Sequence, residues 1–152
     1  MLKQEYAKEN DVYKQEVIEP SNIEGLRIIY NGDNLKIENT KLNLSEIYEK
    51  YEYVSENSLC LYNFIEDYNT SEESNVKDTG NEVIMSTKTK GSSNKYVMYK
   101  TLYIDKESLK PTKMEIKDIN RNTLVYIEYN EIEINSTNKE EILAFNINSI
   151  DV

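Results

Sequence analysis

Residues 96–134, YVMYKTLYIDKESLKPTKMEIKDINRNTLVYIEYNEIEI, decide the fold class of this 152-residue chain. The connector Ile104-Asp105-Lys106-Glu107-Ser108-Leu109-Lys110-Pro111 separates two apolar, alternating runs. Within residues 96–104, Tyr96, Met98, Leu102 and Ile104 share one face, and Val97, Tyr99, Thr101 and Tyr103 the other. Two partly apolar faces fit a central strand covered on both sides. Met114 and Ile116 then alternate with Lys113, Glu115 and Lys117, which predicts a strand with one face in water. After a turn over residues 118–122, Val125, Ile127 and Tyr129 share one parity and Ile132 and Ile134 the other. That phase flip near Asn130-Glu131 predicts a β-bulge. The segment holds two hairpins and no catalytic constellation.

Outward from it, residues 83–90 read as a strand and residues 91–94 as a turn. Residues 69–81 are polar and acidic and read as a mobile loop. Glu72-Glu73 lacks the ligand spacing of a calcium loop, so a solvated acidic run is expected. Ser58 is placed to cap a helix whose apolar residues Leu61, Phe64, Ile65 and Tyr68 recur at i, i+3, i+4 and i+7, with Asn63, Glu66 and Asp67 on its polar side. Residues 26–30 and 35–38 form a hairpin across Asn31-Gly32-Asp33-Asn34, whose residues accept the positive φ of a tight turn. Residues 42–53 read as a strand or loop. Residues 1–19 read as a strand or ragged hairpin stopped by Pro20. Residues 138–141 suggest a turn, and Phe145 and Ile147 a last short strand. The sum is an α+β, mostly antiparallel fold in one domain over residues 1–152. It predicts a strongly curved, half-open β-barrel sheet of eight or more strands, covered on its inner face by one main helix.

Composition narrows the chemistry. A formal charge of −10 and pI near 4.6 oppose nucleic-acid binding and an anionic membrane; a basic partner surface would attract the chain, but most acidic surfaces simply keep a protein soluble. The chain has no histidine, which removes Ser-His and Cys-His pairs and the commonest zinc ligand. Its one cysteine, Cys60, stands among Leu59, Leu61 and Phe64 and reads as a buried, inert thiol. No apolar run nears the ~20 residues of a membrane span. The start, Met1-Leu2-Lys3-Gln4-Glu5, turns polar at once, so no signal peptide is read; the chain is either cytoplasmic or a trimmed piece.

Three stretches carry a resemblance: Leu102-Tyr103-Ile104-Asp105-Lys106 followed by Leu109-Lys110-Pro111-Thr112-Lys113-Met114-Glu115-Ile116; Ile29-Tyr30-Asn31-Gly32; and Tyr53-Val54-Ser55-Glu56-Asn57-Ser58-Leu59 running into Leu61-Tyr62-Asn63-Phe64-Ile65. In order and spacing they resemble the outer-membrane lipoprotein carrier (LolA-like) fold. Within that fold they look most like the clostridial spore germination lipoproteins of the GerS type, over roughly residues 16–135. The resemblance implies a non-catalytic, extracytoplasmic spore-envelope protein, lipid-anchored in its precursor through a segment absent from this chain. It would bind and activate a cortex-modifying N-acetylmuramoyl-L-alanine amidase needed for germination. The chain would carry no cofactor; zinc would belong to the amidase.

Three functions compete. As a partner protein, the chain would use an exposed aromatic surface of Tyr99, Tyr103, Tyr126 and Tyr129, chosen from its thirteen tyrosines. Its strand edges also suit a homodimer by edge pairing or strand exchange. As a carrier of lipid or an acylated ligand, it would hold acyl chains among Leu61, Phe64, Ile65, Met98, Leu102, Met114 and Ile116, residues that serve equally as a filled core. As a glycosidase it would need two carboxyls about 5–9.5 Å apart, with Glu115, Glu128, Glu131 and Glu133 as candidates.

Overall fold

The computed structural model describes residues 1–7, 12–50, 60–90 and 94–133. The chain divides into two compact units, Met1–Val54 with Asn135–Val152, and Ser55–Ile134. The described strands make two five-stranded antiparallel sheets where one continuous curved sheet was expected, and neither ladder closes into a barrel. The break falls where the helix enters the chain, so no tight turn joins the fifth strand to the sixth. Among the described residues, the mostly antiparallel architecture with one helix is as expected.

In the first unit, β1 (Leu2–Ala7), β2 (Val12–Val17), β3 (Leu26–Tyr30), β4 (Leu35–Asn39) and β5 (Leu44–Tyr48) lie in sequence order. The opening residues are therefore a hairpin, and residues 42–53 contain a strand. The expected β3–β4 turn is present: Gly32 has φ 87°, and Asn31 Oδ1 accepts the Asp33 and Asn34 amides at 3.3 and 2.8 Å. Beyond Pro20, Gly25 returns the chain to β3 at φ 85°, and its amide donates to the Val17 carbonyl. A Cβ there would stand 2.5 Å from Thr40 Oγ1, so only glycine fits. Register places Tyr6, Tyr13, Tyr30, Leu35 and Tyr48 in one row across the sheet. The opposite face carries ion pairs, with Glu5 between Lys3 and Lys14, and Arg27 between Glu16 and Glu38, which also meets Lys36.

In the second unit, α1 (Leu61–Thr70) precedes β6 (Asn75–Asp78), β7 (Glu82–Lys88), β8 (Tyr99–Asp105), β9 (Pro111–Lys117) and β10 (Thr123–Glu128), which pair in chain order. The 3.6-residue period drives Phe64 onto the sheet, where it meets Leu102 and Met114. Leu61, Tyr68, Met85, Ile104, Ile127 and Tyr129 pack around these three. Ile65, about 100° round the helix from Phe64, stays 43% exposed and is not core. The N-cap is Cys60 and makes no side-chain capping bond; Ser58 lies outside the described residues.

Several expectations fail for identifiable reasons. The loop expected over residues 69–81 contains β6, which pairs with β7 through Asn75 to Asp78. Tyr96 is exposed in a turn, and β8 begins at Tyr99. No bulge lies at Asn130-Glu131. The register shifts fall between Thr123 and Val125 and between Tyr103 and Ile104. β10 ends at Glu128 because β9 begins at Pro111; the Tyr129 amide makes a last bond to the Thr112 carbonyl at 3.0 Å. The strand expected at Phe145 and Ile147 and the turns at residues 91–93 and 138–141 lie outside the described residues.

Asp67 is also not on a water-facing side. It is buried, and its Oδ2 accepts from Lys100 Nζ at 2.7 Å, with Lys100 0% exposed. Asp67 Oδ1 takes the Lys90 amide at 3.0 Å, and Thr87 Oγ1 donates to the Asp67 carbonyl at 3.3 Å. Lys100 sits two residues before Leu102 on the helix-facing side of β8, so α1 is bolted to β8 by charge as well as by Phe64. Breaking a buried pair strands a charge and costs about 3–5 kcal/mol. Urea unfolding is therefore expected to show Lys100→Met destabilised by about that amount, with part of the loss recovered when Asp67→Asn is added.

Candidate interaction surface

The side of the second sheet turned away from α1 is built by register. Tyr99 lies opposite Lys117, Thr101 opposite Glu115, and Tyr103 opposite Lys113. On the next strand Tyr126 lies opposite Glu115. Three of the four tyrosines expected to act together thus share this face. Tyr129 does not: its parity turns it onto the core beneath α1. Its hydroxyl is buried with no hydrogen-bond partner among the described residues, and burial pushes the phenol well above its ordinary range. The alternation that grouped it with Tyr126 broke down because residues 126 and 129 differ in parity.

Glu115 is the centre of this face. It accepts from Lys113 at 2.8 Å, Lys117 at 3.0 Å and Tyr103 Oη at 3.2 Å. Lys113 Nζ also stands 4.1 Å from the centre of the Tyr103 ring, and the Arg121 guanidinium 4.1 Å from that of Tyr99. These cation–π contacts pin both rings. Arg121 reaches Tyr99 from the β9–β10 turn, where its own φ is 65° and Asp118 accepts the Asn122 amide. Its role was not legible from strand alternation, because it comes from a turn. Burial alone would raise the Glu115 carboxyl, but the hydrogen bonds and charges of Lys113 and Lys117 outweigh it and hold the carboxyl below its ordinary value. A glycosidase acid needs the opposite shift.

Toward the edge, the surface becomes apolar and open: Leu124 is 49%, Val125 43% and Tyr126 64% exposed. The residues expected to line an acyl pocket behave differently. Phe64, Leu102, Met114 and Ile116 are each no more than 2% exposed and are packed as core. Met98 is half-buried just before the start of β8, and Leu61 flanks the cluster. Cys60 is buried, and burial pushes its thiol up, away from reactivity. On the first sheet a shallow depression of about 370 Å³ is lined by Leu26, Ile37, Leu44 and neighbouring polar residues of β4 and β5. Among the described residues no three His, Cys, Asp or Glu side chains converge as metal ligands, and no helix is long and apolar enough to cross a membrane.

A depressed carboxyl contributes stability that is full above its unfolded value and is lost as pH falls through its folded value. For Glu115 the loss begins below its ordinary value of 4.5. The Glu115→Gln variant is expected to be less stable than wild type at neutral pH, with the gap narrowing on acidification below that point. Urea midpoints measured across pH 3 to pH 7 (roughly the span of carboxyl titration) check this.

No family model matches the chain, and no curated protein matches it. Solved structures do. The structure of the CwlD amidase from Clostridioides difficile in complex with the GerS lipoprotein matches with TM-score 0.67 and 29% identity, over 82% of this chain and 69% of that one. A putative outer membrane lipoprotein-sorting protein domain from Vibrio parahaemolyticus matches with TM-score 0.48 and 14% identity, over 88% and 62% of the two chains. A LolA superfamily protein from Nitrosomonas europaea matches with TM-score 0.43 and 15% identity, over 82% and 59%. The chain resembles the GerS lipoprotein.

Proposed function

We propose that this chain is a non-catalytic spore-envelope protein that binds and activates a cortex-modifying N-acetylmuramoyl-L-alanine amidase during germination. The carrying observation is the backbone agreement with the GerS–CwlD complex, TM-score 0.67 at 29% identity over 82% of the chain. That solved neighbour is itself an assembly of a lipoprotein with an amidase. The sequence supports the division of labour: a chain without histidine leaves zinc ligation to the amidase. The surface chemistry supports it too, because the tyrosine-bearing sheet face holds its rings in fixed positions suited to a protein interface. Attachment to the spore envelope would come through a lipid anchor.

The test is co-purification of this chain with the CwlD-type amidase of the same organism, followed by zinc analysis and an assay on cortex peptidoglycan. A stable complex, zinc on the amidase and a rise in amidase activity on adding the chain are expected. No complex and unchanged activity would remove the proposal.

A further inference from the structure

Resting on that reading, we infer that the open edge of β10 is where the amidase docks, by adding an extended segment of its own chain as a further antiparallel or parallel strand. The four edges formed by described strands are not equivalent. β1 meets a charge at Lys3, β5 at Glu46 and β6 at Lys77, which are the devices that discourage edge pairing. β10 runs uncharged from residue 123 to residue 127, with Leu124, Val125 and Tyr126 all exposed.

The direction of its backbone groups follows from one bond. The Tyr129 amide donates inward to the Thr112 carbonyl at 3.0 Å. Backbone groups alternate sides along an antiparallel strand, so those of Ile127 and Val125 also face β9, and those of Tyr126 and Glu128 face outward. Those outward amides and carbonyls sit beside the exposed Tyr126 ring. Together they offer what strand addition uses: main-chain hydrogen bonds for affinity and a side-chain contact for register.

The charges at the end of the edge select the occupant. Glu128, Glu131 and Glu133 follow the uncharged run, and Glu128, Glu131 and Glu133 are all exposed. A segment with apolar residues against Val125 and Tyr126, and Lys or Arg beside these glutamates, is complementary. A second copy of this chain paired in parallel would bring the same carboxylates together at this edge and is less suited in that orientation.

Two edge variants test this in the complex. Tyr126→Pro removes an outward amide while leaving the bonds of Val125 and Ile127 to β9. Val76→Pro does the same on the opposite edge, where the Thr79 amide donates to the Glu82 carbonyl and the Val76 amide therefore faces outward. Folding of both is confirmed by circular dichroism. Tyr126→Pro is expected to weaken amidase binding at least tenfold, and Val76→Pro to leave it within about twofold of wild type. On the unmutated chain, the Tyr126 and Glu128 amides are expected to exchange at least tenfold more slowly once the amidase is bound. Normal binding by Tyr126→Pro, or unslowed exchange at those amides in a formed complex, overturns the edge assignment and leaves the proposed function standing. Slowed exchange produced by self-association without amidase overturns the choice of occupant. No binding by the wild-type chain removes both readings.

Discussion

The buried ion pair between Asp67 and Lys100 is the constraint on which the second unit depends. α1 is ten residues long, has no acidic residue in its first turn, no basic residue in its last and no side-chain N-cap. Such a short helix has little stability of its own in water. Phe64 supplies apolar burial, but it leaves the helix free to slide along a surface of Leu102, Met114 and Ile127. A charge at a fixed site removes that freedom. Asp67 reaches Lys100 on β8 with one oxygen and the Lys90 amide with the other, so the helix is fixed against two segments at once. Because all of this lies on one side of the sheet, the other side is left for Tyr99, Tyr103, Tyr126 and the Glu115 cluster.

The second sheet illustrates how two surface chemistries arise from a period of two. On β9, Met114 and Ile116 enter the core while Lys113, Glu115 and Lys117 build a charged, tyrosine-bearing surface. On β8 the same alternation is violated at Lys100, which is charged and yet wholly buried. The violation is tolerated because the helix brings a carboxylate to it. Neither residue is stable in that place without the other.

Much of this was legible in the chain itself. The β3–β4 hairpin, the helix stripe and the alternation of β9 follow directly from local periodicity and turn chemistry. What escaped was non-local. Asp67 looks like part of a polar helix side, and only the sheet across from it reveals its partner 33 residues away. Tyr129 looks like a neighbour of Tyr126 until its parity sends it to the core. β6 lacks the apolar alternation of a strand, since all four of its residues are exposed, and it exists because β7 offers an edge to pair with. Arg121 belongs to a turn, where no period applies. The resemblance carried by the segment around Ile104-Asp105 and Leu109-Lys110-Pro111 indicated the likeness to the GerS lipoprotein sooner than any of these side-chain contacts.

The charged side of the first sheet has a colloidal consequence. Its lysines and arginine are matched to Glu5, Glu16 and Glu38 within the same surface. That side is close to electrically quiet, and the chain's excess of negative charge resides elsewhere. The molecule is thus an uneven electrolyte. Added salt will screen the repulsion between whole molecules long before it loosens those close, half-buried pairs, so crowding in a saline compartment changes how often copies meet without changing how the sheet is held.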